Sequence, residues 1–365
     1  MMQKEILSFS KIHIGAEEVI SATYDELLLK NGKVLKDTMS GLWNVSLGYS
    51  NNNIKQSMIN QLIKLPYSSN FSGYHSQTTE KYANEICKRT KMNRVYFTNS
   101  GSAAVETAIK LTGRNIAVCG KHSYHGSTIL SANASDQDIN KFWNIQNPMS
   151  VHKFKNADDL TDICKALYDM SFVIIEPVVG AGGVYDWSDD IWTILKEYQS
   201  KGGIVILDET VTGFGKLGTM FAFEKINFNP DMIILGKGIT NGYFPMGACL
   251  INERIEKSVK MFNHGFTYSG HPVGCAAALE TFKEIDKLDL KHKKIKGVTR
   301  QFGCMGAIDF ETPKQSLTFI KKMREIGYIL EDGSENVSTA VFCLPYIFKD
   351  HTEFEEAIKC IITDI

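Results

Sequence analysis

Two apolar runs near the middle of the chain each stop abruptly at charge. Gly203-Ile204-Val205-Ile206-Leu207 gives way to Asp208-Glu209, and Met232-Ile233-Ile234-Leu235 gives way to Gly236-Lys237-Gly238. Apolar runs this short read as strands buried on both faces, the signature of a parallel sheet covered by helices. Ligands of such sheets bind beyond the carboxyl ends of the strands, so both charges fall where chemistry is done. Taken alone, Asp208 could cap a helix and Lys237 could be a solvated loop residue. A lysine between glycines, with no acid one helical turn away to pair with it, can approach a carbonyl carbon as an amine nucleophile. That is the geometry of a Schiff base.

The rest of the chain fits the same plan. Further strand runs at 94–98, 115–119, 172–175 and 246–251 alternate with segments of helical period at 102–112, 192–200, 272–285, 317–326 and 353–362. Parallel strands need such crossovers. The expectation is therefore an α/β fold, with a large mainly parallel sheet domain sandwiched by helices over residues 61–285. Residues 1–60, with a possible two-stranded ribbon and the polar turn Gly48-Tyr49-Ser50-Asn51-Asn52-Asn53, and residues 286–365, with short strands and helices, are expected to join in one small α/β domain.

Charge and composition remove several classes of function. Forty basic against forty-one acidic residues leave a formal charge of −1, so no net positive field attracts nucleic acid or anionic lipid. The run Lys291-His292-Lys293-Lys294-Ile295-Lys296 follows Glu284, Asp286 and Asp289 and reads as a solvated face. No apolar run approaches the roughly 18–20 residues of a membrane span. The start, Met1-Met2-Gln3-Lys4-Glu5-Ile6 with Ser8, Ser10 and Lys11 close behind, lacks the apolar centre of a secretory signal, so a cytoplasmic location is expected. Eight cysteines without a C-x-x-C pair argue against a zinc site or a redox dithiol and read mostly as reduced core thiols.

A third element joins the two strand ends. Tyr96-Phe97-Thr98-Asn99-Ser100-Gly101-Ser102-Ala103-Ala104 runs from a strand through a small-residue turn into a helix, whose free N–H groups and dipole favour a phosphate. The turn is not a nucleotide P-loop and does not follow the G-x-G-x-x-G pattern, so a small phosphorylated cofactor fits better. A phosphate cradle, a nucleophilic lysine and a buried acid are the parts pyridoxal 5'-phosphate requires: an anchor, an imine partner for its aldehyde, and a carboxylate that keeps the pyridine nitrogen protonated. His122-Ser123-Tyr124-His125-Gly126-Ser127-Thr128 offers Tyr124 to stack on the ring.

With these residues in view, the chain resembles the class III aminotransferases of the fold type I pyridoxal-phosphate enzymes. The signature is Ile206-Leu207-Asp208-Glu209-Thr210-Val211-Thr212-Gly213-Phe214-Gly215, then Pro230-Asp231-Met232-Ile233-Ile234-Leu235-Gly236-Lys237-Gly238, with Gly242 and Pro245 beyond. The likeness covers residues 20–285 and returns more weakly toward the C-terminus. It implies that Gly101 and Ser102 hold the phosphate, Tyr124 stacks on one ring face, Val211 lies at the other, His125 belongs to the cofactor-binding set, Asp208 pairs the ring nitrogen, and Lys237 forms the imine. Phe266-Thr267-Tyr268-Ser269-Gly270-His271-Pro272 is similar to the segment whose threonine reaches the neighbouring subunit's phosphate, so Thr267 implies a homodimer with shared active sites. Gly41-Leu42-Trp43-Asn44 resembles the substrate-pocket segment, with Trp43 as a wall.

Within the family the likeness divides between ω-amine:pyruvate and diaminopelargonate aminotransferases. Ala181, in Glu176-Pro177-Val178-Val179-Gly180-Ala181-Gly182-Gly183, stands where ornithine-type members carry a glutamate switch. Ile329-Leu330-Glu331-Asp332-Gly333-Ser334-Glu335 contains no arginine where both relatives usually place one for a substrate carboxylate. Lys216 replaces a common arginine, and the connection between Ile285 and Arg300 is short. The resemblance implies amino-group transfer from a donor amine or amino acid to a ketone, aldehyde or keto acid. A racemase, aminomutase or decarboxylase of the same family, or a catalytically silent cofactor-binding protein, stands as the alternative.

Overall fold

The computed structural model describes residues 17–71, 73–136, 148–259, 261–333 and 338–365. Its centre is a seven-stranded sheet of β4 (Arg94–Thr98), β5 (Ile116–Gly120), β6 (Ser150–Phe154), β7 (Ser171–Ile175), β10 (Ile204–Asp208), β11 (Met232–Leu235) and β12 (Gly247–Ile251). The strand order is β4-β12-β11-β10-β7-β5-β6. Only β12 runs against its neighbours; the remaining pairings are parallel. Every residue of β7, β10, β11 and β12 is buried, as their unbroken apolar sequences require. Each such Val, Leu or Ile contributes about 1.5–3 kcal/mol by leaving water.

All six expected strands and all five expected helices are present. The helices are Gly101–Thr112, Asp189–Ser200, Pro272–Asp286, Pro313–Glu325 and His351–Thr363. The sequence reading passed over β6, whose Ser150, His152 and Lys153 are exposed at the sheet edge and break up any apolar run. It also passed over three helices of more than ten residues, Asn52–Lys64, Gln77–Thr90 and Ala157–Leu167, and several shorter ones. The first of these buries only Ile54 and Gln61. Its start overlaps the asparagine-rich stretch read as a turn. There Asn51 accepts a hydrogen bond from the Ile54 N–H at 3.1 Å and caps the helix, while the Asn51 and Asn53 amides donate to Glu284 at 3.1 and 2.9 Å.

The N-terminal ribbon has three strands rather than two: β1 (Val19–Thr23), β2 (Glu26–Leu29) and β3 (Val34–Lys36), all antiparallel. Near the other end, β13 (Arg300–Phe302), β14 (Met305–Asp309), β15 (Glu331–Asp332) and β16 (Thr339–Cys343) form an antiparallel sheet in the order β13-β14-β16-β15. The two ends of the chain hydrogen-bond to each other. The Lys36 N–H donates to the Gly327 carbonyl at 2.7 Å, the Ile329 N–H to the Lys36 carbonyl at 3.0 Å, and the Cys343 N–H to the Thr38 carbonyl at 2.8 Å. A short hairpin, β8 (Val178–Val179) with β9 (Tyr185–Asp186), follows β7.

Candidate active site

Because β12 alone is reversed, the carboxyl ends of β4, β5, β7, β10 and β11 all open on one edge of the sheet, and the loops that leave them enclose a single cavity. Gly101, Ser102, Tyr124, His125, Gly126, Glu176, Asp208, Thr210, Val211 and Lys237 line it. Seven of these are residues the sequence singled out: Gly101, Ser102, Tyr124, His125, Asp208, Val211 and Lys237. The common origin explains the convergence, since the seven come from the ends of four strands, β4, β5, β10 and β11, that open on the same edge.

Asp208 closes β10 and is buried. One of its carboxylate oxygens lies 2.8 Å from His125 Nδ1, and the other accepts the Thr210 N–H at 3.0 Å. The carboxylate is thereby held in one orientation from two sides. Glu209, beside it, turns away from the cavity and accepts the Ala222 and Phe223 N–H groups at 2.7 and 2.9 Å. Burial pushes its carboxyl up to about 7. Of two adjacent acids, one serves the cavity and the other caps the helix Ala222–Ile226.

Lys237 opens a 3-10 turn, Lys237–Thr240, just past β11, with φ of +42°, a left-handed conformation that costs a non-glycine residue energy and recurs at functional sites. Its amine is buried. Burial lowers it to about 8, partly opposed by the negative charges of Glu176 and Asp208. An amine at that level is neutral in a minor fraction near physiological pH, a far larger fraction than an ordinary lysine has, and that fraction is the nucleophile and proton acceptor.

Three lining residues escaped the sequence reading: Gly126, Glu176 and Thr210. Glu176 is the informative one. It follows the apolar strand β7 as Asp208 ends β10, so the same signal of charge at the end of a buried run marks it. Its carboxylate accepts the Tyr124 N–H and the Gly180 N–H, each at 3.0 Å, and joins the Tyr124 loop to the β8–β9 hairpin. Burial raises its carboxyl above the ordinary value, with the nearby His125 acting the other way. Gly126 has φ of +126°, and a β-carbon there would stand 2.4 Å from Ser102 Oγ. Thr210 packs on Gly101 and Gly236, and its buried hydroxyl has no partner among the described residues.

The other two predicted residues lie elsewhere. Trp43 is buried in an apolar cluster with Met39, Val178, Val211 and Leu217 and is not among the residues lining the cavity. Thr267 is exposed, and its carbonyl accepts a hydrogen bond from the Tyr67 hydroxyl at 2.9 Å. Of the acidic segment noted for its lack of arginine, Ser334 and Glu335 lie outside the described residues, as do residues 1–16.

These groups fit pyridoxal phosphate. The helix Gly101–Thr112 presents its first N–H groups to the cavity; Ser100 caps it by accepting from the Ala103 N–H at 3.2 Å, which leaves the Gly101 and Ser102 amides for a phosphate. A glycine at 101 keeps that approach open, because a β-carbon would meet Thr210 at 3.0 Å. Among the described residues no cluster of three or more metal-ligating side chains occurs, and no helix is long and apolar enough to cross a membrane.

Comparison with known proteins bears on the same residues. The family described as Aminotransferase class-III matches residues 21–297, which include every lining residue. "Gamma aminobutyrate transaminase 3, chloroplastic" from Solanum lycopersicum is 34% identical over 300 residues, 69% of this chain and 57% of that protein. "Vanillin aminotransferase" from Capsicum chinense is 33% identical over 299 residues, 69% of this chain and 64% of that protein. The chain thus spans less than two thirds of the length of these curated relatives. Among solved structures, a transaminase from the marine bacterium Virgibacillus superposes with a TM-score of 0.89 at 25% identity, covering 98% of this chain and 96% of that one. With the match running unbroken from the β1 ribbon past the strand ends that carry Asp208 and Lys237, the chain belongs to the class III aminotransferases, whose cofactor is pyridoxal phosphate.

Proposed function

We propose that this protein is an aminotransferase in which Lys237 Nζ carries a proton between an amino donor and the cofactor, and that its substrates include amines and aldehydes without a carboxylate. The observation that carries the reading is the burial of Lys237, with its amine near 8, on the wall of the same cavity as Asp208 and the Gly101–Ser102 amides. Pyridoxal phosphate, when bound there, supplies an aldehyde for imine chemistry and a ring that accepts electrons. The chain's residues do the rest. Gly101 and Ser102 N–H groups would hold the phosphate, Tyr124 and Val211 would flank the ring, and Asp208, fixed by His125 and Thr210, would hold a proton on the ring nitrogen. Lys237 Nζ, buried on the cavity wall, would be the group that accepts the proton from the donor carbon.

The substrate class rests on charge. The cavity is lined by two carboxylates, and its basic side chains are Lys237 and the His125 imidazole, which is already bonded to Asp208; no arginine lines it. Arg300 faces the other way in its bonding: its guanidinium bonds the Gly183 and Val184 carbonyls and Asp309, and stacks 4.1 Å over the Tyr185 ring. Vanillin, named for one relative, is an aldehyde without a carboxylate. A homodimer belongs to the same reading, supported by Thr267 standing exposed and away from this chain's own cavity. So do a cytoplasmic location and a small domain of residues 1–60 and 286–365 beside the large domain 61–285, supported by the bonds between Lys36 and Gly327. Within that division, helix Asn52–Lys64 packs on the large domain through Glu284.

The test is the visible absorbance of the protein loaded with pyridoxal phosphate, before and after single amines without an acceptor. Conversion of the band to the pyridoxamine form by carboxylate-free amines supports both parts. Conversion only by amino acids removes the substrate class and leaves the transferase, and a band that no amine changes removes the transferase.

A further inference from the structure

Two thiols that the sequence gives no reason to pair are in contact in the small sheet. Cys304, in the turn between β13 and β14, and Cys343, the last residue of β16, place their sulfurs 3.5 Å apart. Both are buried, and both are held by the backbone. The Cys304 N–H donates to the Lys216 carbonyl at 3.0 Å and the Leu344 N–H to the Cys304 carbonyl at 3.0 Å, while Ser40 Oγ donates to the Cys343 carbonyl at 2.7 Å.

The surroundings differ from those of ordinary core thiols in two ways. Lys216 is wholly buried beside them, and its amine has no hydrogen-bond partner among the described residues. Burial opposes ionisation of Cys343, yet the hydrogen bond from Cys304 and the Lys216 charge hold its thiol below the ordinary value. Burial and the neighbouring sulfur push Cys304 up. The second difference is access. A second cavity, lined among others by His292, Gln301, Leu344 and Tyr346, reaches Cys304 and shares no residue with the cavity of Lys237.

We propose that Cys304 and Cys343 are a modification site, a thiol pair that a small hydroperoxide entering by the second cavity converts reversibly to a disulfide. Cys343, having given its own proton to solvent, takes the proton of Cys304 across the sulfur contact, and the Cys304 thiolate attacks the terminal peroxide oxygen. The O–O bond breaks, the departing alkoxide recovers a proton from solvent and leaves as an alcohol, and a sulfenic acid remains on Cys304. Cys343 then attacks that sulfur, the S–O bond breaks, and water leaves. Two thiols and one hydroperoxide give one disulfide, one alcohol and one water.

The bond has a path to the active site. Closing the sulfurs from contact to about 2.05 Å requires the turn or β16 to shift. That turn has no slack: a β-carbon at Gly303 would stand 1.8 Å from the Lys216 carbonyl oxygen. The Lys216 amine in turn lies 3.2 Å from where a β-carbon on Gly238, the residue after Lys237, would stand. Oxidation of the pair therefore displaces Lys216 against the turn that carries Lys237 and slows turnover.

The experiment treats the cofactor-loaded full chain with tert-butyl hydroperoxide, alkylates free thiols and maps the peptides. The expected result is a peptide pair linked through Cys304 and Cys343, removed by dithiothreitol, with activity falling by more than half and returning on reduction. Cys304→Ser forms no such link and keeps its activity through the treatment, and Lys216→Met slows formation of the link several-fold. Free thiols at both positions, under oxidant that consumes the exposed Cys360, overturn the site. Equal loss of activity in C304S and in the unaltered protein overturns its control of turnover. The linked peptide is read without any substrate, so the result is independent of the proposed reaction.

Discussion

Two buried lysines stand in adjoining layers of this molecule and could hardly be placed more differently. Lys237 lines the cavity, with Glu176 and Asp208 close enough to act on its charge. Lys216 is sealed in the layer beneath, against the thiols of the small sheet, and bonds to nothing among the described residues. Burial of an amine is costly in both places. The difference lies in what stands next to it. Lys237 has carboxylates and an opening, so its desolvation tunes a reagent that a ligand can reach. Lys216 has neither, and the only property it can export is charge. A buried lysine therefore reads as a reagent only when a cavity and an acid come with it.

The largest expected effect falls on the first member of the pair. Lys237→Ala removes both nucleophile and proton carrier and should lower transamination by about 10⁴-fold or more, with loss of the imine band in the visible spectrum. If most activity survives, the distinction between the two lysines collapses. In the unaltered protein the rate of cofactor capture should rise with pH and level off above about 8, where the Lys237 amine is neutral. Stopped-flow absorbance between pH 6 and pH 10, taken as roughly spanning that range, checks it; a flat profile removes the amine from the rate.

Next in size is the acid that holds the ring proton. Asp208→Asn keeps the shape but not the charge, and should cost about 10²–10⁴-fold in turnover while leaving the fold intact. Glu176→Gln should act more weakly and elsewhere. An amide nitrogen cannot accept, so either the Tyr124 or the Gly180 N–H loses its partner, at about 1–3 kcal/mol. That corresponds to about tenfold or more in cofactor affinity, measured by titrating the cofactor's absorbance. A variant with unchanged affinity and lowered turnover would instead make Glu176 a group that acts on Lys237 through charge.

How much of this was open to reading from sequence depends on whether burial left a local mark. Apart from Ser171 at the start of β7 and Asp208 at the end of β10, strands β7, β10 and β11 are apolar because both faces are covered, and a buried charge stands at or just past the end of each. Asp208 and Lys237 were legible for that reason, and Glu176 carried the same mark after β7 but was passed over. Edge strand β6 and helix Asn52–Lys64 left no such mark, since each buries little. The meeting of Cys304 with Cys343 left none at all. Sulfur contact is set by the pairing of β14 with β16 and by the turn that seats Cys304 on the Lys216 backbone, and neither is a property of local sequence.

The smallest effects separate the two lysines by stability rather than by rate. In protein free of cofactor, the Lys237 amine is displaced from 10.5 to about 8, and at 1.36 kcal/mol per unit this amounts to about 3 kcal/mol. The sign follows from proton counts. Between about 8 and 10.5 the unfolded chain binds the proton and the folded chain does not, so stability rises with pH through that window, and the full penalty applies below it. Lys237→Met should accordingly stabilise the cofactor-free protein by about 3 kcal/mol at neutral pH and by progressively less toward pH 10, as read from urea midpoints. Lys216→Met should gain less, about 1 kcal/mol, because it replaces a buried amine without a partner by an apolar side chain that the surrounding core accepts. A loss of stability in Lys216→Met would mean that the Cys343 sulfur already balances the lysine's charge as a thiolate. The two layers would then hold one ion pair each, and the contrast between them would narrow to a single difference, the cavity that opens on Lys237.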